Sequence, residues 1–367
     1  MIRTVFVAFL VIHGLIHLLG FAKAFGFASL PQLAEPISRN LGGLWLAAAL
    51  LMLAAATGCL LWPRGWWILG ALALIVSQGV ILSSWSDAKF GTAANLILLV
   101  GVLLGFAARG PFSLRAQYER HLDQVLPVAP PGVLAEADLA PLPEPVRRYL
   151  RGAGALGQPR VQSFRATWTG RIRSGPAAPW MAFTAEQLNT LDPPQRFFRM
   201  DATMKGLPVD VLHVFDGGGA TMRVRLLGAI PMVDAKGPDL TRAETVTLLN
   251  DLCVLAPGAL VSPLIAWESV DPHTARARFT LGANSIQAVL RFNEAAELID
   301  FESGDRSIST PDGRAFTHMT WTTPLRDYAQ RGTARVATWG DAVWHPATGA
   351  YTYGEFRLTS LAYNAQR

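Results

Sequence analysis

The chain has 367 residues, more than one compact domain usually holds, and its charged fraction of 16% is low beside the roughly one quarter usual in soluble proteins. The deficit is local: residues 1–108 carry five basic side chains (Arg3, Lys23, Arg39, Arg64, Lys89) and two acids (Glu35, Asp87), while the other 259 residues carry 27 and 25. The net charge of +5 therefore forms no basic run that would follow a phosphate backbone, which argues against a nucleic-acid partner.

Four apolar stretches, residues 4–22, 41–62, 66–86 and 92–108, reach the length of roughly 17–25 residues that spans a bilayer core. Trp45, Trp62, Trp66, Trp67 and Trp85 sit near their ends, where interfacial aromatics belong. Trp62-Pro63-Arg64-Gly65-Trp66 is short enough only for an antiparallel helical hairpin. Arg3 and Ala22-Lys23-Ala24 imitate a cleavable signal peptide, but His13 and His17 interrupt the apolar run and three further spans follow, so the segment is expected to stay. Four spans put both termini on one side. Arg3, Arg64, Arg109, Arg115 and Arg120 on that side, against Lys23, Arg39 and Lys89, favour the cytoplasm by the positive-inside rule.

Polar residues inside these spans need a reason, because unsatisfied polar groups in hydrocarbon are costly. His13 and His17 share one helix face and read either as a metal or haem ligand pair or as neutral rings hydrogen-bonded to neighbouring helices. Ser77, Gln78, Asp87, Lys89 and Asn95 form a second set, read as a structural polar plug or as part of a proton or solute path. Cys59 lies in a span and Cys253 far beyond it, so no disulfide is expected.

Composition shifts after residue 108. Residues 113–122 have the pattern of a short amphipathic helix at the membrane surface. Pro127, Pro130, Pro131, Pro141, Pro143 and Pro145 then break the chain, and a short helix with Val146 and Tyr149 on one face begins near Pro145. The expected organisation is a transmembrane domain over 1–108, an amphipathic and proline-rich linker over 109–140, and a soluble domain over 141–367.

From Arg160 the apolar period becomes two, as in Phe164-Arg165-Ala166-Thr167-Trp168. Strands are predicted at 164–172, 180–188, 196–204, 208–215, 220–227, 274–281, 285–292, 297–303, 314–322, 332–339 and 352–363. Turns are expected at Asp216-Gly217-Gly218 and Asp312-Gly313. One helix interrupts them. Thr241-Arg242-Ala243-Glu244 reads as a capping box, Val246, Leu248, Leu249, Leu252 and Val254 follow, and Pro257-Gly258 ends it. The fold class is thus multi-domain: an N-terminal four-helix transmembrane bundle and a C-terminal α+β domain with a curved antiparallel sheet cupping one or two helices. Such a concavity is either a filled core, the default expectation, or a ligand cavity.

Leu248-Leu249-Asn250-Asp251-Leu252, Ala256-Pro257-Gly258-Ala259-Leu260 and Trp267-Glu268-Ser269-Val270-Asp271 resemble a family of bacterial membrane proteins without assigned function. Ala185-Glu186-Gln187, Asp305-Arg306, Thr323-Pro324, Tyr328, Tyr363-Asn364 and Ser84-Trp85-Ser86-Asp87-Ala88-Lys89-Phe90-Gly91 extend the likeness over most of the chain. The order of elements in the soluble half also resembles the lipoprotein-carrier fold, a half-barrel that shields acyl chains. That resemblance implies a place outside the cytoplasmic membrane, against the charge count.

Motifs for acyl transfer, zinc proteolysis, phosphate binding and dithiol chemistry are absent from the sequence, so no cofactor, metal or catalytic residue is assigned. His213, His273, His318 and His345 are scattered over strand-like segments. Trp168, Phe183, Phe198, Leu249, Leu252, Trp267 and Trp321 are candidates to line an apolar cavity, with Glu186, Glu268, Asp305 and Arg306 as polar candidates. The expected function is a membrane-anchored protein that binds a lipid or other apolar ligand. The alternatives are an enzyme or transporter using His13, His17, Gln78, Asp87, Lys89 and Asn95, or a structural partner of another membrane protein.

Overall fold

The computed structural model describes residues 2–31, 33–124, 132–217, 219–310 and 314–364. Two compact units divide the chain: Met1–Gln117 with Leu227–Ala229, and Tyr118–Leu226 with Ile230–Arg367.

The first unit contains four helices long and apolar enough to cross a membrane, which begin at Ile2, Arg39, Trp66 and Gly91. They are α1 (Ile2–Ala24), α2 (Arg39–Leu61), α3 (Trp66–Ser83) and, after the single turn α4 (Trp85–Ala88), α5 (Gly91–Arg109). A helix satisfies its own backbone groups, which is what an apolar solvent demands. Ser38 caps α2 by accepting a hydrogen bond from the Leu41 amide at 3.2 Å. Packing uses small residues. Ala48, Ala49, Ala55 and Ala56 line the buried face of α2, and Gly20 of α1 lies so close to the Trp45 ring that a Cβ would sit 2.3 Å from it. The outward faces carry Ile12, Leu15, Ile16, Leu19, Leu72, Ile75 and Leu103, all exposed. An exposed apolar belt of that extent suits lipid, not water.

The second unit is a curled antiparallel sheet. After α6 (Leu114–Gln124) and α7 (Glu144–Gly152) come β1 (Ser163–Ile172), β2 (Met181–Leu191), β3 (Pro194–Met204), β4 (Leu207–Asp216), β5 (Gly219–Leu226) and β6 (Ile230–Lys236). The helix α8 (Pro238–Leu255) follows, then β7 (Ile265–Asp271), β8 (Thr274–Leu281), β9 (Asn284–Phe292), β10 (Leu298–Ser303), β11 (Ser307–Ser309) and β12 (Phe316–His318). The chain closes with β13 (Trp321–Thr322), β14 (Leu325–Arg331), β15 (Ala334–Trp344) and β16 (Tyr351–Tyr363). The strand order is β6-β5-β4-β3-β2-β1-β16-β15-β13-β10-β9-β8-β7, with β14 paired to β15 and β11-β12 forming a separate ribbon. The half-barrel is completed at its middle by the pairing of β1 with β16, the first and last strands of the unit.

The core fills one half of this curl. Val246, Leu249, Leu252 and Cys253 of α8 pack with Tyr149 of α7 and with Phe279, Ile286, Leu290 and Phe301 of β8–β10. Tyr149 donates to the Cys253 carbonyl at 2.8 Å, which satisfies both groups in the interior.

Several local expectations are corrected. The helix starts three residues before Thr241, at Pro238, so Thr241–Glu244 is not a capping box. Gly237 with φ +113° makes the entry turn and Pro238 supplies the first helical φ. Thr241 Oγ1 instead donates back to the Gly237 carbonyl and accepts from the Ala220 amide, while Glu244 turns inward. The single strand expected at 314–322 is two pieces, β12 in the ribbon and β13 in the main sheet. Four strands are additional to those predicted: β6, β7, β14 and the three-residue β11 of the ribbon. β6 and β7 are the edges of the sheet and β14 pairs with one neighbour only, so each lacks the strictly alternating buried set that marks a strand in sequence. Pro231 in β6 is tolerated because that strand is an edge. The β4–β5 hairpin closes through Asp216 and Gly219. Gly218, the Asp312-Gly313 turn and Pro127, Pro130 and Pro131 lie outside the described residues.

Candidate functional site

The other half of the curl is open. Between the concave face of β2–β5, the inner face of β15–β16 and α8 lies a cavity of about 610 Å³, within the range of roughly 300–1,000 Å³ typical of small-molecule sites. The default expectation of a filled concavity is therefore met in one half of the curl and not in the other.

Strand register explains its lining. Asn189 pairs with Arg196, which pairs with Phe215; the next inward row is Gln187, Phe198, His213 and Met222. Two residues further along come Ala185, Met200, Val211 and Val224, and then Phe183, Ala202, Val209 and Leu226. The inward face thus grades from polar, at the level of Asn189 and Arg196, to wholly apolar. Helix α8 shows the same division around its axis. Val246, Leu249 and Cys253 face the filled core, whereas Glu244, Thr247, Asn250 and Asp251 line the cavity.

The polar end is a network of buried charges. Arg196 Nε donates to Asp251 Oδ2 at 2.7 Å and Nη1 donates to Glu244 Oε2 at 3.2 Å. Gln187 Nε2 and Asn189 Nδ2 also donate to Asp251 Oδ2, at 2.6 and 3.3 Å. His213 Nδ1 lies 3.6 Å from Glu244 Oε1. Side-chain exposures of 8% for Arg196, 4% for Glu244 and 11% for Asp251 mean that none of these ions is solvated by bulk water. Burial works to raise the Glu244 carboxyl, but His213, Arg196 and Arg306 outweigh it and hold the group down to about 2. For Asp251 burial prevails over the pull of Arg196, and its carboxyl stands above the ordinary range. Arg306 approaches the same helix from the opposite wall, donating to Thr247 Oγ1, with its guanidinium 4.4 Å from the Trp321 ring and 5.7 Å from that of Trp344.

Of the candidates from sequence, Trp168, Phe198, Trp321 and Arg306 line this cavity together. Phe183 belongs to the apolar cluster at its far end, packed against Phe356. Leu249 and Leu252 lie in the filled core on the other face of α8. Trp267 packs against the same filled core from β7. Glu186 pairs with Arg199, Glu268 with Arg276 and Asp305 with Arg242, all away from the lining. Arg196, Glu244 and Asp251 are not among the site candidates from sequence, and His213 is named there only as one of four scattered histidines. Arg196 and Gln187 do stand at inward positions of otherwise apolar strands, and Glu244, Thr247 and Asp251 recur at helical spacing. These are signals that the pattern contains.

In the first unit the polar residues of separate helices do meet. His13 Nε2 lies 3.1 Å from Asn95 Oδ1 and His17 Nε2 lies 2.8 Å from Ser77 Oγ. Ser77 Oγ donates to Asn95 Oδ1 at 2.9 Å, and Asn95 Nδ2 donates to Gln78 Oε1 at 2.9 Å. Asp87 and Lys89 stand apart: Asp87 accepts from the Glu35 amide at 2.8 Å, and Lys89 lies over the Phe90 ring. No group of three or more His, Cys, Asp or Glu placed to hold a metal occurs among the described residues. His273 is near Glu294, His318 near Ser307, and His345 near Thr322, each in its own part of the sheet.

Fold and cavity together define a half-barrel with a graded internal pocket, following four helices that can cross a membrane. The chain belongs to DUF6544, a family of unknown function, whose model matches residues 132–356. No curated protein matches it. Among solved structures, it is similar to a DUF1329 family protein from Desulfovibrio piger, at 10% identity over 64% of this chain and 95% of that one, with a TM-score of 0.38. It is also similar to a putative outer membrane lipoprotein-sorting protein domain from Vibrio parahaemolyticus, at 12% identity over 56% and 86%, with a TM-score of 0.31.

Proposed function

We propose that this protein is anchored in a bacterial cytoplasmic membrane by its four apolar helices and binds a lipid or other molecule with a long apolar part in the half-barrel. The observation that carries this reading is the unfilled, apolar end of the cavity, formed by Met200, Ala202, Val209, Val211, Val224 and Phe356. A folded core normally packs to crystal-like density, so a cavity of about 610 Å³ whose far end is walled by methyl, thioether and aromatic groups is a place for the apolar part of a guest. Membrane lipid is the partner of the first unit, and covalent linkage keeps the pocket near a source of such guests. The alternative role for the helical unit, an enzyme or transporter, has less support, because His13, His17, Ser77, Gln78 and Asn95 hydrogen-bond mainly to one another.

The test uses full-length protein in phosphatidylcholine nanodiscs and a fluorescent long-chain alcohol excited by transfer from tryptophan. Binding is expected in the wild type and is expected to fall to the lipid background in Met200→Trp and Val211→Trp, which fill the apolar end. Equal signals from wild type and both filled variants would refute the proposal.

A further inference from the structure

The pocket is polar at one end, and the cations there are not equivalent. Arg196 is fully engaged, since Asp251 and Glu244 both accept from it. Arg306 has no such counterpart. Its Nη1 donates to Thr247 Oγ1 and, at 3.5 Å, to the Ala243 carbonyl, and no carboxylate lies within ion-pair distance of it among the described residues. Its Nε is buried without a hydrogen-bond partner. The guanidinium rests on Trp321, which is 4% exposed, and reaches toward Trp344, which is 5% exposed, so it is backed by apolar surface and faces the cavity. Nearby carboxylates do not supply what it lacks. Glu244 feels the charge of Arg306 without contacting it, its Oε2 accepting from Arg196 and its Oε1 standing 3.6 Å from His213 Nδ1, and Asp251 receives Arg196, Gln187 and Asn189. A planar cation with free donors beside an apolar trough has the chemistry of a receptor for a planar or tetrahedral oxyanion.

Resting on the binding role above, we infer that the guest is an anionic amphiphile: a carboxylate or phosphate received by Arg306, with one alkyl chain running along Phe198, Met200 and Val211 toward Phe356. The order of the inward rows sets this orientation, because the polar level lies beside α8 and the apolar levels lie beyond it. The reverse orientation would put the anion near Arg173, at the other end of the trough beside Ile172. Arg173 is already turned to the carbonyls of Thr352 and Pro176 and stacks on Trp180.

Competition decides it. Palmitate, hexadecyl phosphate and hexadecanol share one chain length and displace the fluorescent alcohol from full-length protein in nanodiscs. Val211→Trp supplies the membrane background. Palmitate and hexadecyl phosphate are expected to displace at concentrations at least roughly tenfold below hexadecanol, the scale of a charge-assisted hydrogen bond. Arg306→Gln should abolish that preference while leaving hexadecanol bound, Arg306→Lys should keep part of it, and Arg173→Gln should keep all of it. Carboxylate and phosphate are told apart by which competitor is stronger. Equal displacement by all three in the wild type overturns the inference, even if Arg306→Gln does not fold. A preference lost in Arg173→Gln rather than Arg306→Gln does the same. Displacement by none, together with no specific probe signal, overturns the binding role itself.

Discussion

Replacing Arg196 by methionine tests whether the charged network at the polar end holds the second unit together. The substitution keeps an unbranched side chain of similar reach and deletes the cation between two carboxylates. Both acids are then left in the interior, at 4% and 11% side-chain exposure; Asp251 keeps hydrogen bonds from Gln187 and Asn189 and His213 Nδ1 stands 3.6 Å from Glu244, but the cation between the two carboxylates is gone. Removing one partner of a buried ion pair costs about 3–5 kcal/mol. For a unit of this size that corresponds to a fall in Tm on the order of 10 °C. The loss should also depend on pH. In the variant, Asp251, already raised by burial, loses the cation that opposes that rise, so its carboxyl prefers the neutral form when folded and its folded pKa lies further above the unfolded one. Stability contributed by such groups is complete below the unfolded pKa and disappears as pH rises through the folded one. The deficit of Arg196→Met should therefore shrink between about pH 7 and pH 4. In the wild type Glu244 behaves oppositely: held down to about 2, it contributes stability above its unfolded value that is lost as pH falls. The assay is thermal unfolding of detergent-solubilised full-length protein, followed by tryptophan fluorescence across that range. A deficit below about 1 kcal/mol at pH 7, or one that grows on acidification, would refute the reasoning.

Asp300 is a second titration probe. Burial pushes its carboxyl up to about 6, against the pull of Arg291, and its Oδ1 is buried without a partner. Its favourable contribution is present below the unfolded pKa and is lost as pH rises through about 6, so Asp300→Asn should gain up to roughly 3 kcal/mol relative to wild type between pH 4 and pH 8, read from Tm at both values. In the helical unit, Asn95→Leu removes the shared partner of His13, Ser77 and Gln78 and should cost about 1–2 kcal/mol, measured by thermal unfolding in detergent. A neutral effect would mean that the three groups find other partners.

The four long apolar helices were legible because the capacity to cross a bilayer depends on a property summed over some twenty consecutive residues, to which α1, α2, α3 and α5 contribute locally. The same holds for β1–β5, whose period of two reports one buried face, and for α8, whose apolar stripe is continuous. Edge strands were hidden because a strand with one neighbour buries few side chains and shows no alternation: β7 and β14 each fully bury only their first residue, Ile265 and Leu325. The helix start was misplaced because Thr241 and Glu244 have the right spacing for a cap, and only the inward position of Arg196 makes a better use of Glu244.

From the sequence alone came the separation into a lipid-compatible third and a β-rich remainder, since hydropathy and period are properties of neighbours along the chain. Which concavity is filled and which is open came only from tertiary structure. Arg196 meets Glu244 and Asp251 across 48 and 55 residues, and β1 meets β16 across almost the whole second unit. Those contacts are fixed by strand register and by which face of α8 turns to the core. A one-residue slip or a half-turn of the helix would exchange polar lining for apolar, and no local pattern encodes that choice.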